Sequence, residues 1–385
     1  VVGSPTKGPH PNYLTLHAKT RGFQLGRPQK TVPTPDGKQV LFLRSVSDSP
    51  ELRLYEFDVG SGKTRELLTP AQLLKGADEQ LSLEEKARRE RMRQTLRGFT
   101  SFELSPDGKF VLVVLSGRLY TFSRADGKVV ELTPIVEATP HAAQAASAHP
   151  PAAPDREPIF DPQLSPDGKS VGYVRGRDLY VLEIATRKER RLTHSNNPFI
   201  TYGQAEFVAQ EELHRFSGFW FSPYSQAIAF TEVDNRPVET LYVGDVLRPD
   251  LPPHPMRYPR AGTDNALVRL GVLPLVGSAQ PQFADLPRER YPYIATVVWQ
   301  AGGPLLVTLL SRDQHDLALY SVDGKTAKAE SLLTEHDDAW INIDQDVPKV
   351  LKDGTGFLWT SEREGGRELE LRDLGSEHPE YAKTA

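Results

Sequence analysis

The chain has 385 residues, 38% of them hydrophobic, enough for one large core or several small cores in series. Its formal charge of −5 gives no reason to expect nucleic acid, and the absence of cysteine excludes disulfides and thiolate metal sites. No apolar run reaches the roughly 18 residues that a membrane-spanning helix needs. A cysteine-free composition suits the periplasm and the cytoplasm equally, so the compartment stays open between them.

Residues 1–22 read as an N-terminal arm. The opening Val1-Val2-Gly3 has neither an initiator Met nor a signal-type apolar core, which points to a processed or trimmed start. From residue 23 a module repeats. "TPDGKQVLFLR" begins at Thr34, "SPDGKFVLVVL" at Ser105 and "SPDGKSVGYVR" at Ser165, with a worn copy, "SPYSQAIAF", at Ser222. In each intact copy Asp-Gly supplies the left-handed backbone of a tight turn, and a run of β-formers follows. A second strand comes next: "LRLYEFDV" from Leu52, "GRLYTFSR" from Gly117, "RDLYVLEI" from Arg177, "ETLYVGDV" from Glu239 and "LALYSVDG" from Leu317. A short third strand then ends in Leu-Thr, as in "TRELLT", "VVELT", "ERRLT" and "AESLLT".

The copies at Ser105, Ser165 and Ser222 lie 60 and 57 residues apart. Three or four antiparallel strands repeated at roughly 40–60 residues are the signature of a β-propeller, and no 3.6-residue periodicity competes with it. The fold expected is therefore all-β: a propeller of about seven to eight four-stranded blades over residues 23–385. Later copies, near Trp299, Trp340 and Trp359, are blurred but keep the rhythm. The last stretch, "LRDLGSEHPEYAKTA", reads as a blade broken off part-way.

Two insertions interrupt the pattern. Residues 71–97 are expected to form a helix between blades 1 and 2, capped by Ser82 with Glu85 three residues on and braced by Glu84–Arg88 and Glu85–Arg89 pairs. Such a helix is either a solvated, salt-bridged face or, because Arg89 and Arg93 share one side, a basic edge aimed at an anion or carbonyl. Residues 138–154, "ATPHAAQAASAHPPAAP", read as a flexible surface loop.

"AEFVAQEELHR", residues 205–215, places Glu211 beside Glu212 and close behind Glu206, with Phe207, Val208 and Leu213 as apolar anchors. It lies between the end of one blade and the start of the next, and so on a loop or short helix. Either it is an exposed acidic turn, or the paired carboxylates await a cation. A peptide N-terminus fits the second reading, since an ammonium brings three N–H donors to a pair of carboxylates with up to four acceptor oxygens.

"AEFVAQEELHRFSGFWFSP" together with "YPRAGTDNALVRLGV" (258–272) resembles the N-terminal propeller of the dipeptidyl peptidase IV group within the prolyl oligopeptidase clan, most closely its bacterial branch. "EEKARRERMR" resembles the arginine-bearing helix of that branch, and "SEREGGRELEL" (361–371) another strand pair. The resemblance implies a serine exopeptidase that releases Xaa-Pro or Xaa-Ala dipeptides. Glu211 and Glu212 would hold the substrate's amino group, and Arg89 and Arg93, chosen among several arginines of the helix, would steady its first carbonyl. It implies peptide substrates, an α/β-hydrolase domain in cis and, in many members, a homodimer; no cofactor or metal is called for. "GKSVG" (168–172) has the Gly-x-Ser-x-Gly spacing but lies in a repeated Asp-Gly turn and its following strand, not at a strand-to-helix elbow, so no catalytic residue is assigned and the chain alone is expected to be inactive. "GSGKT" (60–64) is no phosphate loop, because Phe57 stands at the first glycine position. The alternative is a stand-alone propeller that binds protein partners without chemistry. A clan member acting on blocked or internal residues is opposed by the acidic pair, which would find no ammonium.

Overall fold

The computed structural model describes residues 12–81, 83–133, 157–277 and 280–374. The expected cap at Ser82, the Ala/Pro-rich loop 138–154, residues 1–11 of the arm and the final residues 375–385 lie outside them. By compactness the chain divides into two units, one running to residue 136 and including Glu157–Phe160, the other built on Asp161–Ala385.

The first unit carries two antiparallel sheets. One runs Gln29–Pro33, Gln39–Ser45, Glu51–Asp58, Lys63–Leu68, with Arg97–Gly98 added in parallel to Glu51–Asp58. The other runs Glu103–Leu104, Phe110–Leu115, Arg118–Ser123, Val129–Glu131. Their apolar faces share a core of Leu41, Leu43, Leu54, Phe99, Val111 and Val113, all at most 1% exposed. Period-2 alternation is blurred in these strands because both faces are covered, which makes them continuous apolar runs.

The repeated turn has one chemistry. At Thr34 the hydroxyl donates to Asp36 Oδ1 (2.6 Å) and accepts from the Gln39 N–H (3.0 Å). Ser105 and Ser165 repeat both bonds with Asp107 and Phe110, and with Asp167 and Ser170. Gly37, Gly108 and Gly168 provide the positive φ. The same turn recurs at Ser311 with Asp313 and Asp316, where Gln314 takes φ +63° in place of glycine. The hydroxyl hydrogen bonds hold the carboxyls of Asp36, Asp107 and Asp313 below their usual range.

Residues 71–97 are not one helix. Thr69 and Gln72 form a capping box on Pro70–Leu74, and the chain leaves that helix through Lys75 (φ +52°) and Gly76 (φ +88°). A second helix runs Leu83–Arg91. It ends in a Schellman motif: Arg93 is left-handed (φ +53°), its N–H reaches Glu90 O (2.9 Å), and the Gln94 N–H reaches Arg89 O (2.7 Å). Arg93 therefore lies beyond the helix and does not share a helical face with Arg89. Within the arm, Tyr13–Lys19 forms a short helix.

Gly98 fixes how this inserted segment returns to the sheet. It has φ +80°, its N–H donates to Glu79 Oε2 (3.0 Å), and a Cβ there would fall 2.5 Å from Leu52 O. Gly98→Ala is expected to destabilise the chain by about 2–3 kcal/mol, from left-handed strain plus the backbone clash, measured by urea denaturation.

From residue 159 on, three sheets are antiparallel with four main strands: Ile159–Leu164, whose first two residues group with the first unit, to Glu189–Arg191; Ile200–Tyr202, Ala227–Asp234, Leu267–Pro274, Gln282–Phe283; and Tyr293–Trp299, Leu305–Leu310, Asp316–Val322, Ala329–His336. Phe219–Phe221 also pairs with Ala227–Asp234. A three-stranded sheet closes the described chain: Lys349–Val350, Gly356–Ser361 and Glu368–Asp373. Val272, Leu305, Val307 and Leu309 centre one core, and Leu306, Leu310, Leu319 and Phe357 another. "ETLYVGDV" does not enter a sheet of this kind. Thr240–Val243 pairs with His254–Arg257 as a separate two-stranded ribbon, and Leu267–Pro274 takes the expected place beside Ala227–Asp234. Tyr242 is 72% exposed and Val243 is exposed too, while Thr240 and Leu241 are only half-buried, so this ribbon adds little to the core.

Candidate functional site

The acidic turn is built by a chain reversal in the second unit. After Ile200–Tyr202 the backbone passes Gly203 (φ +71°) and buried Ala205, and Glu206 stands in extended conformation before a single helical turn, Phe207–Glu211. The Glu212 N–H closes on Val208 O (2.9 Å), His214 turns left-handed (φ +56°), and the Arg215 N–H returns to Ala209 O (2.9 Å). An antiparallel bridge between Gln204 and Ser217 closes the loop at its base. Ala205, Ala209 and Leu213 point into the protein and are buried, while Phe207 packs against Tyr258 with ring centroids 4.7 Å apart. Tyr258 belongs to the 258–272 segment that accompanies the acidic stretch in the resemblance.

The carboxylates of this turn differ in burial. Glu211, at the helix end, is half-buried and Glu212 is exposed. Glu206 is buried and ion-paired: Arg215 Nη2 lies 2.6 Å from Glu206 Oε2, with both side chains 4% exposed. Arg215 also donates from Nε to Ile294 O (3.0 Å) and from Nη1 to Ser217 O (3.0 Å). Three acceptors around one guanidinium offset the desolvation that makes a bare buried pair expensive. Glu206 Oε1 is buried without a protein partner and borders a small cavity lined also by Phe207, Val208, Arg257, Asn265 and Tyr293. Burial, with the nearby Arg269 charge, lowers the pKa of Arg288, a half-buried cation whose charge Glu206 partly supports.

The sequence reading found Glu211 and Glu212 but gave no role to Glu206, Arg215 or Arg288. The signal is weak: Glu206 and Arg215 are nine positions apart, which is no helical spacing, and they meet through the chain reversal that includes the left-handed step at His214.

Arg89 and Arg93 belong to the first unit. Arg89 is 7% exposed and sits between two carboxylates, with Nε 2.8 Å from Glu85 Oε1 and Nη2 2.8 Å from Glu79 Oε1. Burial opposes its charge, but the bonds to Glu79 and Glu85 outweigh that and raise its pKa. The Glu85–Arg89 pair expected from the sequence is thus present, in a buried triad. Arg93 is exposed, two residues past the helix end.

A family model described as the dipeptidyl peptidase IV (DPP IV) N-terminal region matches residues 105–384. The chain belongs to this family. The matched stretch of the dipeptidyl peptidase IV N-terminal region contains the whole acidic turn, whereas Arg89 and Arg93 precede it. Among curated proteins the chain is similar to mouse dipeptidyl peptidase 8, 25% identical over 261 residues, or 54% of this chain and 29% of that protein. It is similar to rat inactive dipeptidyl peptidase 10 at 27% over 209 residues, covering 52% of this chain and 26% of the relative. The chain therefore spans less than a third of these relatives' length. Among solved structures, Porphyromonas gingivalis dipeptidyl peptidase 4 matches with a TM-score of 0.64 and 19% identity over 92% of this chain and 47% of that one, a likeness of fold.

Proposed function

We propose that this chain is the substrate-admitting part of a serine dipeptidyl peptidase and that Glu211 and Glu212 bind the free amino group of a peptide. Its sheets are blades of a propeller of about seven to eight, a reading supported by their repeated antiparallel order and by the likeness to the Porphyromonas gingivalis enzyme. One observation carries the proposal: both carboxylates stand on a turn tied down by buried side chains and a buried ion pair, so they form a preset acceptor rather than a loose acidic loop. Fixing the amine sets how far along the peptide an α/β-hydrolase domain in cis cuts, which releases two residues at a time, with Pro or Ala at the second. An arginine of residues 83–93 steadies the first carbonyl. Arg89, buried between Glu79 and Glu85, and Arg93, exposed past the helix end, are the two candidates. The second partner is another copy of the chain. Val246 and Leu247, 92% and 90% exposed beyond the Thr240–Val243 strand, offer apolar surface for it, and sedimentation equilibrium decides whether the protein is a dimer.

The reading is tested with the full-length protein and matched peptides. Ala-Pro peptides with a free N-terminus should be cleaved, and their N-acetylated forms should fall by at least about a hundredfold in kcat/KM, because acetylation removes the ammonium and leaves the carboxylates unpaired. Equal cleavage of both forms would exclude an amine-directed site. A protein that cleaves neither and captures partners through the propeller would match the interaction-module alternative.

A further inference from the structure

We infer that Arg215 and Gln345 are positioning residues that hook the acidic turn onto an interruption in a neighbouring β-strand. This inference rests on the amine-binding reading above. In the ladder between Tyr293–Trp299 and Leu305–Leu310, Ile294 faces Leu309 and Thr296 faces Thr308, so the register slips at Ala295. An extra residue of this kind bends the strand and frees backbone groups from the ladder. Ala295 is fully buried, which leaves the irregularity little room to relax.

Both carbonyls at the slip are taken by side chains from outside the sheet. Arg215 Nε donates to Ile294 O at 3.0 Å, and Gln345 Nε2 donates to Ala295 O at 3.1 Å. Each of those donors also grips the acidic turn. Gln345 Nε2 makes a second, shorter bond to Leu213 O (2.6 Å), the carbonyl directly after Glu212. Arg215 pairs with Glu206, the residue directly before the helix, at 2.6 Å. The two ends of the segment that carries Glu211 and Glu212 are thus fastened to adjacent carbonyls of one strand. Since the slip supplies carbonyls at consecutive residues, the two braces can act side by side, as they could not on a regular antiparallel strand, where neighbouring carbonyls point opposite ways. The arrangement fixes the separation and direction of the acidic pair without either brace needing to touch substrate.

The test uses the full-length protein. Gln345→Leu keeps the side chain's size and removes both amide bonds; Arg215→Lys keeps the charge and removes the fork. With free-amine Ala-Pro substrates each variant is expected to raise KM about tenfold with kcat within about twofold, the mark of a displaced binding group. Amide hydrogen exchange over residues 205–215 should accelerate, while the Leu305–Leu310 and Asp316–Val322 strands keep wild-type protection. Glu211→Gln/Glu212→Gln is measured alongside. If that double variant loses activity while Gln345→Leu keeps wild-type KM and wild-type exchange over 205–215, the bracket is refuted and the amine reading stands. If the double variant is fully active, the amine reading fails, and faster exchange in Gln345→Leu alone would show a bracket serving stability only, which also overturns the inference. Gln345 is surface-exposed, so its variant decides the matter even where Arg215→Lys does not fold.

Discussion

Replacing Glu211 and Glu212 together by alanine is expected to cut kcat/KM for free-amine dipeptidyl substrates by about a hundredfold or more in the full-length protein. Hydrogen bonds to a charged group contribute roughly 1.5–3 kcal/mol each, and about 1.4 kcal/mol is worth a factor of ten. Two such bonds would exceed a hundredfold, but Glu212 is exposed and competes with water, so the lower end applies. Glu211, half-buried at the end of its helical turn, should account for most of the loss when the two are replaced singly. Cleavage of an N-acetylated peptide should change little in the same variant, because that substrate never engaged the pair. The pH profile gives an independent check. A peptide amine titrates near 7.7–8 and binds as the ammonium. Wild-type kcat/KM should therefore fall as pH rises through that range, and the double variant should lose the part of this fall that the amine causes. Wild-type rates in the double variant would remove the amine-binding proposal outright. The Phe207 and Leu213 anchors are untouched by these replacements, so a change in thermal unfolding beyond a few degrees would mean the turn itself had come loose.

What could be read from the sequence follows from how local the determinant is. The turns at Thr34, Ser105 and Ser165 are legible because a hydroxyl, an Asp two residues on and a Gly three residues on suffice to build them. The equivalent turn at Ser311 hides, since Gln314 adopts the positive φ that a reader assigns to glycine. Residues 71–97 read as one helix because their charges keep helical spacing; Lys75 and Arg93, neither a usual stop, end the two real helices. Thr240–Val243 has the composition of a sheet strand and becomes an exposed ribbon, because strand propensity does not say which partner a strand meets. At the candidate site the acidic pair stands out in the sequence, but its support does not. The Glu206–Arg215 pair, the Gln345 brace and the slip at Ala295 join residues up to 132 positions apart, and no local pattern records contacts of that range.

Arg89→Met is expected to destabilise the first unit by about 3–5 kcal/mol, the usual cost of breaking a buried ion pair by removing one partner. The lost cation leaves Glu79 and Glu85, whose side chains are only 11% and 12% exposed, facing one another without compensation. The damage should spread to the sheet, since Glu79 Oε2 also accepts the Gly98 N–H and so ties the inserted helix to the Arg97–Gly98 strand. Chemical denaturation of variant and wild type measures the loss. The triple variant with Glu79→Gln and Glu85→Gln separates its causes. It removes the charges along with the cation and should recover a large part of the stability, because a neutral amide is far cheaper to bury than an unpaired carboxylate. No recovery would mean that Arg89 acts mainly through packing of its aliphatic stem. Arg93→Ala is the contrast. It alters an exposed residue past the helix end and should stay within about 0.5 kcal/mol of wild type. If an arginine of this segment steadies the substrate carbonyl, the two substitutions part company. Arg93→Ala lowers kcat/KM in a fully stable protein, and Arg89→Met lowers stability first. Loss of activity from Arg89→Met at temperatures where the fold is intact, with Arg93→Ala silent, would return the carbonyl-binding role to Arg89 and require its triad with Glu79 and Glu85 to open when substrate arrives.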